Sequence, residues 1–328
     1  MKASYVTLAA IVLSVIILVI ITSVSGINPA VILTLGPLFL LGAIASVLLR
    51  LLFQGLRFNY ILRSFSERRY GFLESVAVRI GSEFVAQTSA AYVGGEVARA
   101  AWMAKNGEAS GKALWLPYIE IVFDVFAGNC IGVVAGVIAI LSGDSFLGGI
   151  VLVLSLFILS LVTSVVLLSR KRFIHMPSLA MTPLRWVVGE RRATGLFEKG
   201  NAFMAEFCEA ATHTFTRRNS VKLIVIGACT AVIVLLTVST LWLVALGLGL
   251  PLSFVDCAPL VYTSIVLGNL PITLGGSGVA EAGIYFYASA VFNVSSWPMV
   301  FAWRILSYHF VLLITGIPAF VILRRYTK

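Results

Sequence analysis

The sequence predicts an all-α polytopic membrane protein with about six full transmembrane helices, two re-entrant helical hairpins and an inverted repeat. Of its 328 residues, 59% are apolar and only 12% are charged, whereas a soluble domain has about 25% charged residues. Apolar runs of membrane-spanning length recur along the whole chain, and two shorter apolar stretches contain similar glycine breaks. We therefore treat residues 1–328 as a single integral membrane domain.

Six segments are long and apolar enough to cross a bilayer, which takes about 20 residues. The first, 5–24, begins like a secretory signal, but it has full spanning length and no clear small-residue cleavage site follows it, so we predict a retained helix. The other predicted spans are approximately 31–53, 113–141, 146–169, 220–246 and 298–323.

The basic residues predict the orientation of these spans. They concentrate in stretches that flank the apolar runs, which the positive-inside rule places in the cytoplasm. These stretches are 50–79, 105–112, 170–222 and 324–328. We therefore expect a multi-pass protein of the cell membrane with both termini cytoplasmic. The net charge of +10 lies beside anionic lipid in this arrangement, so nucleic acid is not an expected partner.

Two further apolar segments must each enter and leave the membrane on the same face. Basic stretches flank about 80–104 on both sides, and nearly uncharged stretches flank about 254–297. Each arm has about 12–18 residues, too few for a full crossing. This favours two re-entrant hairpins, from opposite faces, over pairs of short crossings. The sequence GEVARAA at 95–101 is similar to SGVAEAG at 277–283, as expected for an inverted repeat, although the match is short and chance is an alternative.

The glycine breaks in the two hairpins are the first candidate site residues. They are Gly94 and Gly95 in the first hairpin, and Gly276 and Gly278, together with Pro271 and Gly275, in the second. Irregular backbone at membrane depth is tolerated only inside protein or beside a polar cavity. Each break leaves a helix N-terminus within the membrane, and its free N–H groups and dipole attract anions such as phosphate. The alternative is a tight turn of small residues that allows close packing.

Charged residues inside apolar segments are the second set of candidates. They are Glu83, Glu96, Arg99, Glu120, Asp124, Glu281 and Arg304, with Asp256 near an outer end. Each is expensive in the membrane unless it is paired or hydrated, so each is a candidate for substrate binding. Arg99 and Glu281 hold equivalent positions in the two motifs with opposite charge, and we predict that they meet. Glu120 and Asp124 share a helix face, and a purely structural ion pair is the alternative for them.

The cytoplasmic segment of about 170–218 mixes charged and apolar residues. It predicts an amphipathic helix on the membrane surface, with a solvated connecting helix as the alternative. The sequence contains no catalytic triad, HExxH motif, P-loop or cluster of metal ligands, so we expect neither an enzyme nor a cofactor.

Together these motifs resemble a known family. The run LRFNYIL at 56–62, the Gly94-Gly95-Glu96 turn with Arg99, the sequence GSGVAE at 276–281 and the late Arg304 follow one another as in the transmembrane region of lysylphosphatidylglycerol synthases and its stand-alone relatives. The likeness covers about residues 30–325. The proline that usually precedes the Gly-Gly-Glu turn is absent, and this chain has Ala91-Tyr92-Val93 before the turn.

The resemblance implies a function. In full-length members a cytoplasmic domain aminoacylates phosphatidylglycerol and the membrane region moves the lipid between leaflets. Here Lys328 follows the last span directly, so we expect translocation without synthesis. The implied partners are membrane lipids of anionic or polyprenyl-phosphate type, while a separate lipid-modifying enzyme and a homo-oligomer are left open. A secondary transporter of a small anionic or organic solute is the main alternative, because inverted hairpins suit that class equally well.

Overall fold

The computed structural model describes residues 29–89, 92–170, 190–273 and 275–326, with the isolated positions 12, 16 and 19. These residues form eleven α-helices and no strands, which confirms the predicted all-α class. The helices are α1 (Pro37–Phe65), α2 (Phe72–Gln87), α3 (Gly94–Lys105), α4 (Ser110–Leu141), α5 (Ser145–Ser169), α6 (Glu190–Thr214), α7 (Ser220–Gly247), α8 (Phe254–Gly268), α9 (Val279–Phe292), α10 (Trp297–Arg304) and α11 (Phe310–Tyr326).

Five of the predicted spans correspond to long apolar helices among the described residues. They are α1, α4, α5, α7 and a last segment in which α10 and α11 are joined by a π-helical turn, Ile305–His309. The predicted span 5–24 lies outside the described residues except at positions 12, 16 and 19. The polytopic membrane class is therefore confirmed, with five spans described.

The bounds of α1 correct the sequence analysis. We predicted a span of 31–53 followed by a basic loop, but the helix begins at Pro37 and continues to Phe65. Arg50 consequently lies near the middle of α1, and Arg57 lies about two turns before its end and is fully buried. Arg79 is likewise buried, on α2. A count of basic residues cannot distinguish an arginine in a loop from one that pairs with an acidic residue on another helix.

Both predicted hairpins are present as pairs of short helices, α2–α3 and α8–α9. Their arms contain 16, 12, 15 and 14 residues, fewer than a full crossing requires. The first hairpin begins at Phe72 rather than at about residue 80. These lengths fit re-entrant loops, and that the loops dip into the membrane stays a prediction.

The hairpins lie between the long helices. The first hairpin packs against α1, α4 and α11, and the second packs against α4, α7 and α10. Helices α1 and α7 also pack along each other. The order of long helix, hairpin and long helix therefore occurs twice: α1, α2–α3 and α4, and then α7, α8–α9 and α10–α11.

The predicted amphipathic segment is helical over Glu190–Thr214, while 171–189 lie outside the described residues. This helix, α6, is docked on the protein. The ring of Phe207 meets Trp115 of α4 edge to face at 5.0 Å, and the Gly111 N–H donates to the Glu206 carboxylate at 2.8 Å. Helix α6 thus buries its apolar face against the base of α4.

Candidate functional site

A buried carboxylate, Glu120 of α4, is the centre of the first group of charges. Its Oε1 atom lies 3.1 Å from Nε of Arg57, and its Oε2 atom lies 3.2 Å from Nε of Arg79 and 3.5 Å from Nη2 of Arg99. The three arginines come from α1, α2 and α3. Because a buried charge is costly unless it is paired, this contact holds the first hairpin to both neighbouring long helices.

Asp124 lies one turn after Glu120 and binds the same arginine. Its carboxylate accepts two hydrogen bonds from the Arg57 guanidinium, one of them at 2.7 Å, and Arg57 also donates to the Thr230 hydroxyl of α7 at 2.7 Å. The predicted shared face of Glu120 and Asp124 is therefore present. Their contacts fit the structural alternative, since both carboxylates are occupied by arginines.

The predicted pairing of Arg99 with Glu281 is wrong. Arg99 lies 3.1 Å from Glu96 on its own helix, donates to the Ser82 hydroxyl at 2.9 Å and lies over the Phe58 ring, besides its contact with Glu120. Carboxylates on its own helix and on the adjacent α4 are the partners of this guanidinium. Arg99 and Glu281 do hold equivalent positions, but each pairs with the long helix that follows its own hairpin.

Glu281 accordingly pairs with Arg304 of α10. Arg304 Nε lies 2.8 Å from Glu281 Oε1, and Nη2 donates to the Gly275 carbonyl at 2.7 Å. The second carboxylate oxygen of Glu281 accepts the Gly278 N–H at 2.8 Å, which caps α9. Arg304 also lies 4.1 Å from the centre of the Tyr308 ring, in the π-helical turn that follows it. Such turns are often found at functional sites.

The two glycine breaks meet. The Gly275 N–H donates to the Ser89 carbonyl at 3.3 Å, and the Tyr92 hydroxyl donates to the Gly275 carbonyl at 2.8 Å. The Tyr308 hydroxyl donates to the Gln87 carbonyl at 3.0 Å. At Gly276, with φ at 64°, an added Cβ would lie 2.9 Å from the Gly268 Cα. The turns that contain the two breaks therefore contact each other, through Gly275 on one side and Ser89 and Tyr92 on the other.

Part of the backbone at each break already has a side-chain partner. The Gly94 N–H donates to the Ser89 hydroxyl at 2.9 Å, and the Gly278 N–H binds Glu281 as described. An added Cβ at Gly95 would lie 2.8 Å from the Ser82 carbonyl, so this glycine permits close contact between α3 and α2. The contact at Gly95 fits the alternative that these glycines allow close packing. That the same turns bind an anion stays a prediction.

Several residues of this region escaped the sequence analysis. Arg57 and Arg79 were assigned to cytoplasmic loops, and Tyr92 and Tyr308 were not singled out. The i, i+4 pair of Arg79 and Glu83, joined at 2.9 Å, was a usable signal because both charges stand in an apolar stretch. Nothing in the sequence indicated the two tyrosines, because each donates to a backbone carbonyl group of a hairpin that is distant in sequence.

A separate groove of about 750 Å³ opens where α1, α4 and α6 end or begin. Glu108 is its most connected residue: it accepts hydrogen bonds from Ser66 and from Tyr70, and Lys112 lies 3.3 Å away. Burial, and then the charge of Glu108, raise the pKa of Tyr70, while a hydrogen bond from Lys112 lowers the pKa of the exposed Glu67. The described residues contain no group of three side chains suited to a metal ion.

The fold and these sites define a class: polytopic all-α membrane proteins in which two broken helical hairpins meet beside buried ion pairs. The family model of the lysylphosphatidylglycerol synthase TM region matches residues 7–315, and the chain belongs to this family. The family is the non-catalytic membrane region of such synthases, which indicates a role connected with membrane lipids. No curated protein matches the chain.

Proposed function

We propose that the protein translocates a phospholipid, or another lipid that carries a phosphate, between the leaflets of the membrane. The observation that supports this most directly is the contact of the two hairpin tips through Ser89, Tyr92 and Gly275, close to buried charges. Irregular backbone and charged side chains would then lie together within the membrane. Both are too costly to expose to lipid tails, so they would line a polar route through the protein.

The physical need for such a route is the charge of the headgroup. A charged group at the middle of a bilayer costs a few kcal/mol or more. In our proposal the headgroup passes between the hairpins while its acyl chains stay in the bilayer. The phosphate is attracted to the broken-helix N-termini at Gly94–Gly95 and Gly276–Gly278, and Glu96, which is partly exposed, faces a cationic part of the headgroup or balances Arg99.

The other charged residues have supporting roles in this proposal. Glu281 and Arg304 neutralise each other and shape the second tip, while Glu120 and Asp124 hold the arginines of the first hairpin. We further propose a cell-membrane location with both termini in the cytoplasm, since the stretches 66–71 and 105–112 retain the basic residues that the positive-inside rule counts. A separate lipid-modifying enzyme and a second copy of the chain are candidate partners.

Reconstitution into liposomes tests the proposal. Liposomes that contain the purified protein and a phospholipid labelled on its acyl chain are treated with an impermeant quencher of the outer leaflet. The wild type should move label between leaflets faster than empty liposomes, and Arg99→Lys, which keeps the charge but loses the guanidinium fork, should be slower. Equal rates for all three preparations would refute translocation. Gradient-driven uptake of a soluble anion without lipid movement would instead support the transporter alternative.

A further inference from the structure

We propose that Arg50 is the residue that binds the phosphate of the translocated group, an inference that rests on the proposed function. Arg50 lies near the middle of α1, and the sequence analysis had placed it in a cytoplasmic cluster. A guanidinium therefore lies within a helix that is long and apolar enough to span the membrane, where a charged headgroup is expensive to carry. Arg50 can bind a headgroup phosphate only if its guanidinium is not already paired with a carboxylate.

Four other arginines of this region are already occupied. Arg57, Arg79, Arg99 and Arg304 each lie within 3.5 Å of a carboxylate oxygen. Arg50 makes no such ion pair within the described part of the chain, and its Nη2 atom is buried without a hydrogen-bond partner there. It is therefore set apart from the arginines that hold the helices together.

Helix α1, which carries Arg50, packs on α2 of the first hairpin. The charge of Arg50 acts on Glu83 of α2 and on Tyr262 of α8, one arm of each hairpin. Gln54 lies one turn further along α1 and Gln87 one turn after Glu83, so each shares a helix face with its neighbour. The side-chain oxygens of both glutamines are buried without a partner in the described residues. One unused donor and two unused acceptors thus occur on α1 and α2, which pack together.

A phosphate group fits this chemistry. Leaving a buried guanidinium N–H unpaired is costly, and phosphate oxygens match the planar guanidinium fork. Hydroxyl or ammonium groups attached to the phosphate can donate to the oxygens of Gln54 and Gln87. Among the described residues, the ion pair of Glu83 is with Arg79, at 2.9 Å, and not with Arg50. A lipid headgroup and free phosphate share the chemistry that Arg50 would recognise.

Arg50→Gln in liposomes tests the assignment, with Arg63→Gln as its matched control. Arg63 lies on the same helix, but it is exposed and its guanidinium lies over the Phe72 ring, away from both hairpin tips. With phosphatidylglycerol labelled on an acyl chain as the probe, we expect Arg50→Gln to slow translocation roughly tenfold or more. Arg63→Gln should stay within about twofold of the wild type.

The outcomes separate the two proposals. A wild type that translocates, with Arg50→Gln equal to it, overturns the role of Arg50 alone. A wild type no faster than empty liposomes, in lipid translocation and in uptake of inorganic phosphate, overturns both proposals. Phosphate uptake that Arg50→Gln abolishes, without lipid movement, keeps Arg50 as the phosphate ligand and makes the source a solute. If Arg50→Gln is not recovered as folded protein, Arg50→Lys decides: a several-fold loss of rate supports the assignment, and an unchanged rate refutes it.

Discussion

At Glu120, one side chain determines where three arginines lie. Its two oxygens contact Arg57, Arg79 and Arg99, and its side chain is almost completely buried. Because the arginines come from three different helices, the carboxylate acts as a link between α1, the first hairpin and α4. Arg99 was predicted to bind substrate, and its contacts show that it also has a structural partner that any mutation at this position would disturb.

Glu120→Gln should destabilise the protein strongly. The amide leaves three buried guanidinium groups without their shared anion, and removal of one partner from a buried ion pair costs about 3–5 kcal/mol. Unfolding of the purified protein in detergent, followed by heat or denaturant, measures the loss. Glu67→Gln is the control, since the Glu67 side chain is 93% exposed and its surface pairing with Lys112 should contribute little to stability. Indistinguishable unfolding of the two variants would contradict the role of Glu120.

Among the structural elements, the two hairpins depend on glycines that permit unusual backbone and close contact at once. Gly276 has both a positive φ and a close neighbour, the backbone of Gly268 at the end of α8. Gly249, in the turn between α7 and α8, has a similar φ of 67° but no neighbour within 4 Å of an added Cβ. A comparison of Gly276 with Gly249 therefore separates the need for a positive φ from the need for close contact.

We therefore expect Gly276→Ala to destabilise the protein more than Gly249→Ala does. Both alanines bear the strain of a left-handed conformation, about 1–2 kcal/mol, but only the first must also push α8 and α9 apart. Translocation rate and unfolding temperature should both fall for Gly276→Ala. Equal effects of the two substitutions would mean that close contact at the second break is unimportant.

The docking of α6 on α4 depends on a third glycine. An added Cβ at Gly111 would lie 2.2 Å from the Phe203 carbonyl, so Gly111→Ala should displace α6. Limited proteolysis should then cut within 190–214 faster than in the wild type. Gly195→Ala on α6 is the control, since nothing lies within 4 Å of its added Cβ and alanine favours a helix. Unchanged proteolysis of Gly111→Ala would show that α6 is not held there.

For the whole molecule, periodicity and length were enough to predict the all-α class, five of the spans and the two hairpins. They failed where an answer depended on partners distant in sequence. Arg50, Arg57 and Arg79 were read as loop residues, because hydropathy and charge counts contain no information about Glu120 or Asp124. The motif comparison predicted that Arg99 and Glu281 meet, but it could not show that each pairs with the long helix after its hairpin.

The predicted orientation can be tested by labelling in intact cells. In a variant without the four native cysteines, Arg69→Cys in the turn after α1 and Ser142→Cys after α4 are both exposed in the fold. An impermeant maleimide should label Ser142→Cys in intact cells and Arg69→Cys only after the cells are opened. This follows from the positive-inside rule, and labelling of both positions from outside would overturn the assignment of sides.

The central claim is that two broken hairpins meet tip to tip inside the membrane. In the same cysteine-free background, Ser89→Cys and Ser277→Cys place one thiol on each tip. The Gly275 N–H donates to the Ser89 carbonyl, and Ser277 lies two residues after Gly275. A short bifunctional maleimide should link these positions in membranes, and it should not link Ser89→Cys to Ser142→Cys. If the two tip cysteines stay unlinked and both react with an impermeant maleimide from water, the hairpins do not meet within the membrane and the account is contradicted.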